Sequence, residues 1–334
     1  MKSIIPKQWE METPVKFPKG VKQMEKIKSI TNTDRVATWE NIGKSANTKK
    51  IADALKAVGL DFEVEKRPLF FGPDMKKIAD KFATVRTDKD GYLGIVGKGY
   101  EICQNEVAFA FADYIDEKLK FTRGGMTYSG LCWIVGQLPS IKILGEEYTP
   151  CIVLQNSFNG KYKVRANIVA LNNANYAQFN IGLYGIANTI AIRHTASLPS
   201  RMKQGQETLT SVREYMDGLR KVAEKYANIK MDKTQIEMFV NVLFPVKENM
   251  NETAKANVIK QRQAFLSCYD DAGNKTHWGN AWGLIRAYAD FVTHTIGKDT
   301  KTKFERKFMK TTLSNKKFGG FLKKLEGVTG VKVA

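Results

Sequence analysis

Histidine is scarce in this sequence: His194, His277 and His294 are the only three among 334 residues. Neither HExxH nor any other pair of histidines at ligand spacing occurs, which excludes a zinc site built on histidine. The four cysteines stand far apart in apolar surroundings, as Cys103, Cys132, Cys151 and Cys268, with no Cys-x-x-Cys pair. They read as reduced core residues. No GxSxG elbow is present, and no catalytic set with its required partners emerges, so neither a metal nor a cofactor is expected. Long apolar runs are missing as well. No stretch approaches the roughly twenty residues that span a bilayer, and the opening MKSIIPKQWEMETPVKFPKG holds no apolar segment of signal-peptide length. The expected location is the cytoplasm, with no membrane partner.

Acid is also in short supply. Asp and Glu number 34 against 53 Lys and Arg, for a formal net charge of +19. Such a surplus repels itself in the compact state and calls for an acidic partner. Nucleic acid is the commonest, because each phosphate neutralised releases a condensed counterion. An anionic membrane surface, an acidic protein and plain solubility are the competing readings of the same charge.

Two phosphate-binding patterns fail on inspection. Gly43-Lys44-Ser45 resembles the end of GxxxxGK[ST], but the first glycine would fall on Thr38. Gly94, Gly97 and Gly99 do not have GxGxxG spacing. Pro73-Asp74 with Asp116, Glu117 and Lys118 is loosely similar to a nuclease set in which carboxylates hold Mg²⁺ and a lysine assists water. The simpler reading makes Asp113, Asp116 and Glu117 the solvated face of a helix.

What is present has clear order. The first thirty residues carry seven lysines against three glutamates with little periodicity and read as a basic arm. Ile51, Ala54, Leu55 and Val58 have helical spacing, closed by Gly59. Extended segments follow over 62–71 and 83–96, and then a largely apolar helix starting at Asn105 and running to Leu119. Three β-rich runs come next, over 125–138, 148–157 and 161–171, with Leu144-Gly145 and Asn159-Gly160 at turns. Beyond Asn172 the period changes. Leu209, Val212, Met216, Leu219, Ala223 and Tyr226 lie three and four apart, which predicts one long amphipathic helix, and more helices are expected over 233–243, 251–269 and 278–295.

The predicted class is α+β: an antiparallel β-hairpin sheet packed on a long helix, followed by a helical C-terminal half. The expected organisation is a basic N-terminal arm (1–35), an α+β core (36–230), a helical region (231–296) and a basic-aromatic tail (297–334). In that tail Lys303, Arg306, Lys307 and Lys310 are interleaved with Phe304, Phe308, Phe318 and Phe321. Two readings stand side by side. The rings stack on bases while the cations hold phosphates, or the rings dock on the body with the lysines outward.

Several segments together resemble the phage/plasmid-like protein family of unknown function: TWENIG ending at Gly43, ALKAVGLDFEV (54–64), VRTDKDGYLGIVGKGYEICQNEVAFAFADYI (85–115), LQNSFNG (154–160), the RHT at 193–195 and THWGNAWGLIRAYAD (276–290). The likeness covers nearly the whole chain. It departs where members carry a Trp-His pair, since Trp39 is followed by Glu40, and where an Arg-Val-Val-Cys-x-Asn-Thr-Leu stretch is expected but the chain reads Ile168-Val169-Ala170-Leu171-Asn172-Asn173. The order of helix, hairpin strands and long helix over 105–229 is more weakly similar to single-strand annealing recombinases. That resemblance implies an oligomeric ring or helix holding single-stranded DNA in a basic groove between a β-hairpin and a helix.

Single-stranded DNA binding is thus the expected function, in a protein of annealing or recombination. A regulatory or counter-defence protein that binds a host protein or duplex DNA is the alternative, and a metal-dependent nuclease the second. The expected backbone contacts are Lys161, Lys163, Arg165, Arg193, Arg201 and Lys203, joined by the tail cations, with Tyr162 and Tyr176 as stacking platforms.

Overall fold

The computed structural model describes residues 35–181, 189–191, 198–294, 301–314 and 316–331. Antiparallel sheets fill its first half and helices its second, as the α+β reading predicts. Strands β1 (Lys44–Thr48), β5 (Lys120–Met126), β6 (Leu131–Gln137), β8 (Glu146–Ser157), β9 (Arg165–Asn172) and β10 (Gln178–Phe179) lie side by side in the order β1-β5-β6-β8-β9-β10. Short strands β7 (Ile141–Ile143) and β11 (Thr189–Ala191) extend β8 and β9 at their free edges. A separate sheet of three strands, β2 (Val64–Phe71), β3 (Lys76–Arg86) and β4 (Tyr92–Gly97), is largely exposed.

The central strands of the large sheet do not alternate between apolar and polar, and the reason is burial on both sides. Successive side chains point to opposite faces. Cys132, Ile134, Ile152, Leu154, Ala166 and Ile168 join the main core on one face. There they meet α1 (Ile51–Val58), α2 (Asn105–Phe109) and the stripe Val212, Met216, Leu219, Ala223 and Tyr226 of the long helix α3 (Leu198–Ala227). Their neighbours Trp133, Val135, Cys151, Val153 and Leu171 form a second, smaller core on the other face. Its cover comes from Ala37, Trp39 and Ile42 and from Phe308, with Phe304, Met309 and Leu313 packed alongside.

Helices α4 (Lys233–Leu243), α5 (Glu252–Tyr269) and α6 (Ala281–His294) follow the predicted spans closely. Asp232 and Gln235 form a capping box at the start of α4. Helix α6 is buried all round, and α8 (Lys316–Thr329) lays Phe318 and Phe321 against its Tyr288, with Tyr288 and Phe321 stacked at 4.1 Å. Between them, α7 (Lys301–Lys307) runs into a wide turn at Phe308–Thr312. The tail phenylalanines are therefore docked on the body, and the reading in which they stack on bases does not hold for Phe308, Phe318 or Phe321. Among the described residues no helix is long and apolar enough to cross a membrane.

Two local expectations change. Asn105 does not open a long helix to Leu119, because α2 ends at Phe109 and a tighter 3-10 turn takes over at Ala110–Tyr114. The Asn105 side chain is buried, where its Nδ2 donates to the Leu60 carbonyl at 2.9 Å and its Oδ1 accepts from Asn156 at 3.1 Å. The run 125–138 is not one strand but the end of β5, a turn and β6. Gly130 makes that reversal possible at φ 77°.

If Phe308 belongs to the core, Phe308→Ala will lower the free energy of unfolding by about 3–5 kcal/mol, as measured in urea. A loss below about 1 kcal/mol would place the 301–314 segment outside the cooperative fold.

Candidate nucleic-acid interface

The site grows from two turns at one end of the large sheet. Between β8 and β9 the chain reverses at Gly160, with φ 71°. Asn159 Oδ1 accepts from the Lys161 amide at 2.9 Å, and the Ser157 hydroxyl donates to the Tyr162 carbonyl at 3.1 Å. Such side-chain bonds to the local backbone fix a turn without help from a ladder. Lys161 and Lys163 are left exposed on it, with Tyr162 half-buried between them.

The second turn joins β5 to β6. The Leu131 amide donates to the Thr127 hydroxyl at 3.1 Å, and the Gly130 amide to the Thr127 carbonyl at 2.9 Å. Asn159 Nδ2 donates across to the Ser129 carbonyl at 2.7 Å and the Tyr162 hydroxyl meets Ser129 Oγ at 3.4 Å, so the turns are locked together. Tyr128, at the apex, is 94% exposed. Its amide donates to Glu305 Oε2 on α7 at 2.8 Å. That bond draws the start of the C-terminal cationic segment to the same corner. Phe308 anchors it, with its ring 4.7 Å from that of Trp133, and Arg306 and Lys310 remain exposed. The three-stranded sheet closes the corner from behind. Thr84 Oγ1 donates to the Phe158 carbonyl at 2.7 Å, and a Cβ on Gly94 would lie 2.6 Å from the Asn159 Cα.

The structure thus brings Lys161, Tyr162 and Lys163 on one turn, and the α7 segment with Arg306 and Lys307 bonded to the other, to the same end of the large sheet. Arg165 lies just inside it at the start of β9. Tyr176 does not join them, since it follows the far end of β9, in the turn before β10. Arg193 lies outside the described residues. Arg201 and Lys203 fall in the first turns of α3 and Lys303 in α7, and their side chains likewise lie outside what is described. The residue missed from sequence is Tyr128; its signal was Tyr128-Ser129-Gly130, a turn sequence inside what reads as a continuous strand.

The described residues contain no group of three His, Cys, Asp or Glu side chains able to hold a metal ion. Asp74 stands in solvent on the β2–β3 turn, and Asp116 accepts from the Lys118 amide at 2.7 Å in its own turn. The titratable clusters that do form are structural braces. Glu146 lies 2.8 Å from Arg286, and its other oxygen accepts from Asn172 at 3.1 Å. Burial pushes its carboxyl up, but the His277 and Arg286 contacts outweigh that and hold it below the usual range. Arg35 bridges Asp271 and Asp290 at 3.0 Å each, and Asp290 also meets His294 at 2.7 Å.

One family model matches, that of the domain of unknown function DUF932, over residues 92–313. The span runs from β4 to just past the Phe308 turn and contains Tyr128, Lys161 to Arg165, Glu146 and Arg286. No curated protein and no solved structure matches the chain.

The Glu146 brace makes stability depend on pH in a set direction. A carboxyl held below its unfolded value of about 4.3 contributes stability above that pH, and the contribution is lost as pH falls through the folded value. Glu146→Gln will therefore flatten the fall in unfolding free energy on acidification below about pH 4.5 while costing about 3–5 kcal/mol at pH 7, where Arg286 loses its partner. A variant with the acid limb of the parent protein would show that Glu146 does not set it.

Proposed function

We propose that this chain, which belongs to the DUF932 family, is a single-stranded DNA-binding protein acting as an oligomer in annealing or recombination of phage or plasmid DNA, in the cytoplasm. The observation that carries the reading is the corner just described: a ring 94% exposed at Tyr128, a second at Tyr162, and Lys161, Lys163 and Arg306 beside them. An exposed tyrosine face offers stacking only to bases that are themselves unstacked, and cations at its flanks hold the backbone without reading sequence. The net charge of +19 supports the same partner.

A second reading has its own observation. Phe70, Phe71 and Met75 are exposed at the β2–β3 turn, outside the family match. An apolar tip of that kind favours a protein partner, as in the regulatory or counter-defence alternative.

Fluorescence anisotropy with labelled dT30 and the corresponding duplex, across a salt series, tests the proposal. Single strands will bind more tightly than duplex, with affinity falling steeply as salt rises. Tyr128→Ala will weaken binding about 5- to 150-fold, the worth of about one stacked base. Absence of binding at low salt would reject nucleic acid as the partner and leave the apolar hairpin tip as the functional surface.

A further inference from the structure

Arg165 stands apart from the other shielded arginines among the described residues, which have a carboxylate or, for Arg262, the Phe244 carbonyl at 2.7 Å. Arg35 has Asp271 and Asp290, Arg286 has Glu146, and Arg123 has Glu40 at 2.7 Å. The Arg165 guanidinium has no ion pair or hydrogen bond among the described residues, although the side chain is half-buried and its Nε is shut off from solvent. Only Nε is shut off, so the fork's terminal nitrogens face a space that a ligand can enter. A shielded charge without a counter-ion asks for a ligand that supplies one.

The register shows what surrounds it. Arg165 pairs with Gln155 on β8, Gln155 with Trp133 on β6, and Arg165 with Ala191 on β11. Residues directly opposite in an antiparallel pair share a face, with Cβ atoms about 5 Å apart. Gln155 is only 4% exposed, yet its amide too has no hydrogen bond among the described residues. This row contains no carboxylate. Glu40 and Glu305, which cover the same face, are engaged by Arg123 and by the Tyr128 amide. Lys163 is exposed two residues before Arg165, in the stretch that leads from the turn corner into β9, so the row ends beside that corner.

We infer that Arg165 and Gln155 form a phosphate-binding site on the second face of the large sheet, entered past Lys163. The guanidinium fork matches two phosphate oxygens and the Gln155 amide donates to a third. The site rests on the nucleic-acid reading for the carrier of that phosphate, whether an internal phosphodiester or a 5′-terminal phosphate, with free inorganic phosphate the remaining source.

The test uses the full chain as wild type, Arg165→Leu, Arg165→Lys and Gln155→Leu, with Lys260→Ala, an exposed lysine of α5 away from the corner, as the surface control. Thermal unfolding is followed in chloride and in inorganic phosphate at equal ionic strength, and anisotropy with dT12 bearing a 5′-hydroxyl or a 5′-phosphate. Phosphate will raise the wild-type Tm. Arg165→Leu will melt at or above the wild type in chloride, because an unpaired charge is gone, and will lose the rise in phosphate. Its affinity for dT12 will fall about tenfold, and the slope of log K against log salt will fall by about 0.7. Arg165→Lys, which keeps the charge but not the fork, and Gln155→Leu will lose most of the phosphate-induced rise. A preference for the 5′-phosphate assigns the site to a strand end, and equal affinity assigns it to the internal backbone. An Arg165→Leu protein that melts below wild type and retains both the phosphate shift and the salt slope overturns the site. If all variants bind dT12 alike, the site fails while the corner reading stands. A phosphate shift without oligonucleotide binding has the opposite meaning.

Discussion

Strands β6, β8 and β9 have apolar side chains on both faces, and that double burial governs the arrangement of the rest. Ile152 and Leu154 need one cover, Cys151 and Val153 another. Helices α1 to α3 supply the first. The second is assembled from pieces at the two ends of the described chain, Ala37 to Ile42 and Phe304 to Leu313. Phe304 and Phe308 lie four apart, so both face the sheet while the intervening Arg306 turns to solvent. The position of these cations is a by-product of apolar packing. A segment that composition marks as a basic tail is held over the large sheet because the sheet has a second face to cover.

The same constraint shapes the charge distribution. Closing the second face places Arg35 inside, where it is 4% exposed and paired with Asp271 and Asp290. Burial pulls on the Arg35 guanidinium, but the two carboxylates more than offset it and hold it firmly charged. His294 ties the cover down further, meeting Asp290 through Nδ1 and the Val36 carbonyl through Nε2 at 3.2 Å. The two braces use three carboxylates, Glu146, Asp271 and Asp290, for two guanidiniums. Acid is drawn inward where desolvation demands counter-ions, and the exposed remainder is more basic than the total composition suggests.

Periodicity made the helices legible, since α3 to α6 bury the residues that stand three and four apart. Asn159-Gly160 marked the β8–β9 reversal for the same kind of reason, as a dipeptide that tolerates positive φ. What stayed hidden depends on partners far away in sequence. Asn105 has the look of a helix cap, yet its hydrogen bonds go to Leu60 and Asn156. Tyr128 sits in an apolar stretch that reads as unbroken strand, and only the closure of Gly130 exposes it. Lys161, Tyr162 and Lys163 were visible as basic and aromatic residues beside a turn, whereas their association with Arg306 passes through Glu305 and the Tyr128 amide, 177 residues apart. The tail phenylalanines could not be assigned from spacing at all, because stacking on bases and docking on Trp133 or Tyr288 demand the same residue types.

The corner's rigidity bears on how tightly a single protomer can hold a strand. Its two turns are ordered before any ligand arrives, by the Asn159, Ser157, Thr127 and Ser129 bonds, so little loop entropy remains to be lost on binding. Even so, two stacked bases contribute about 2–6 kcal/mol, to set against an association cost of about 4–15 kcal/mol. Phosphate contacts close part of that gap, and salt removes much of their effect. On the proposed reading one corner is too weak to hold DNA alone. Protomers set side by side along a strand would make each later contact effectively intramolecular, and a head-to-tail interface would repeat the corner as a ring or a helix according to whether its rotation closes. On that reading repetition supplies what a single set of exposed turns lacks, and the rigidity of each corner keeps the cost of every added contact low.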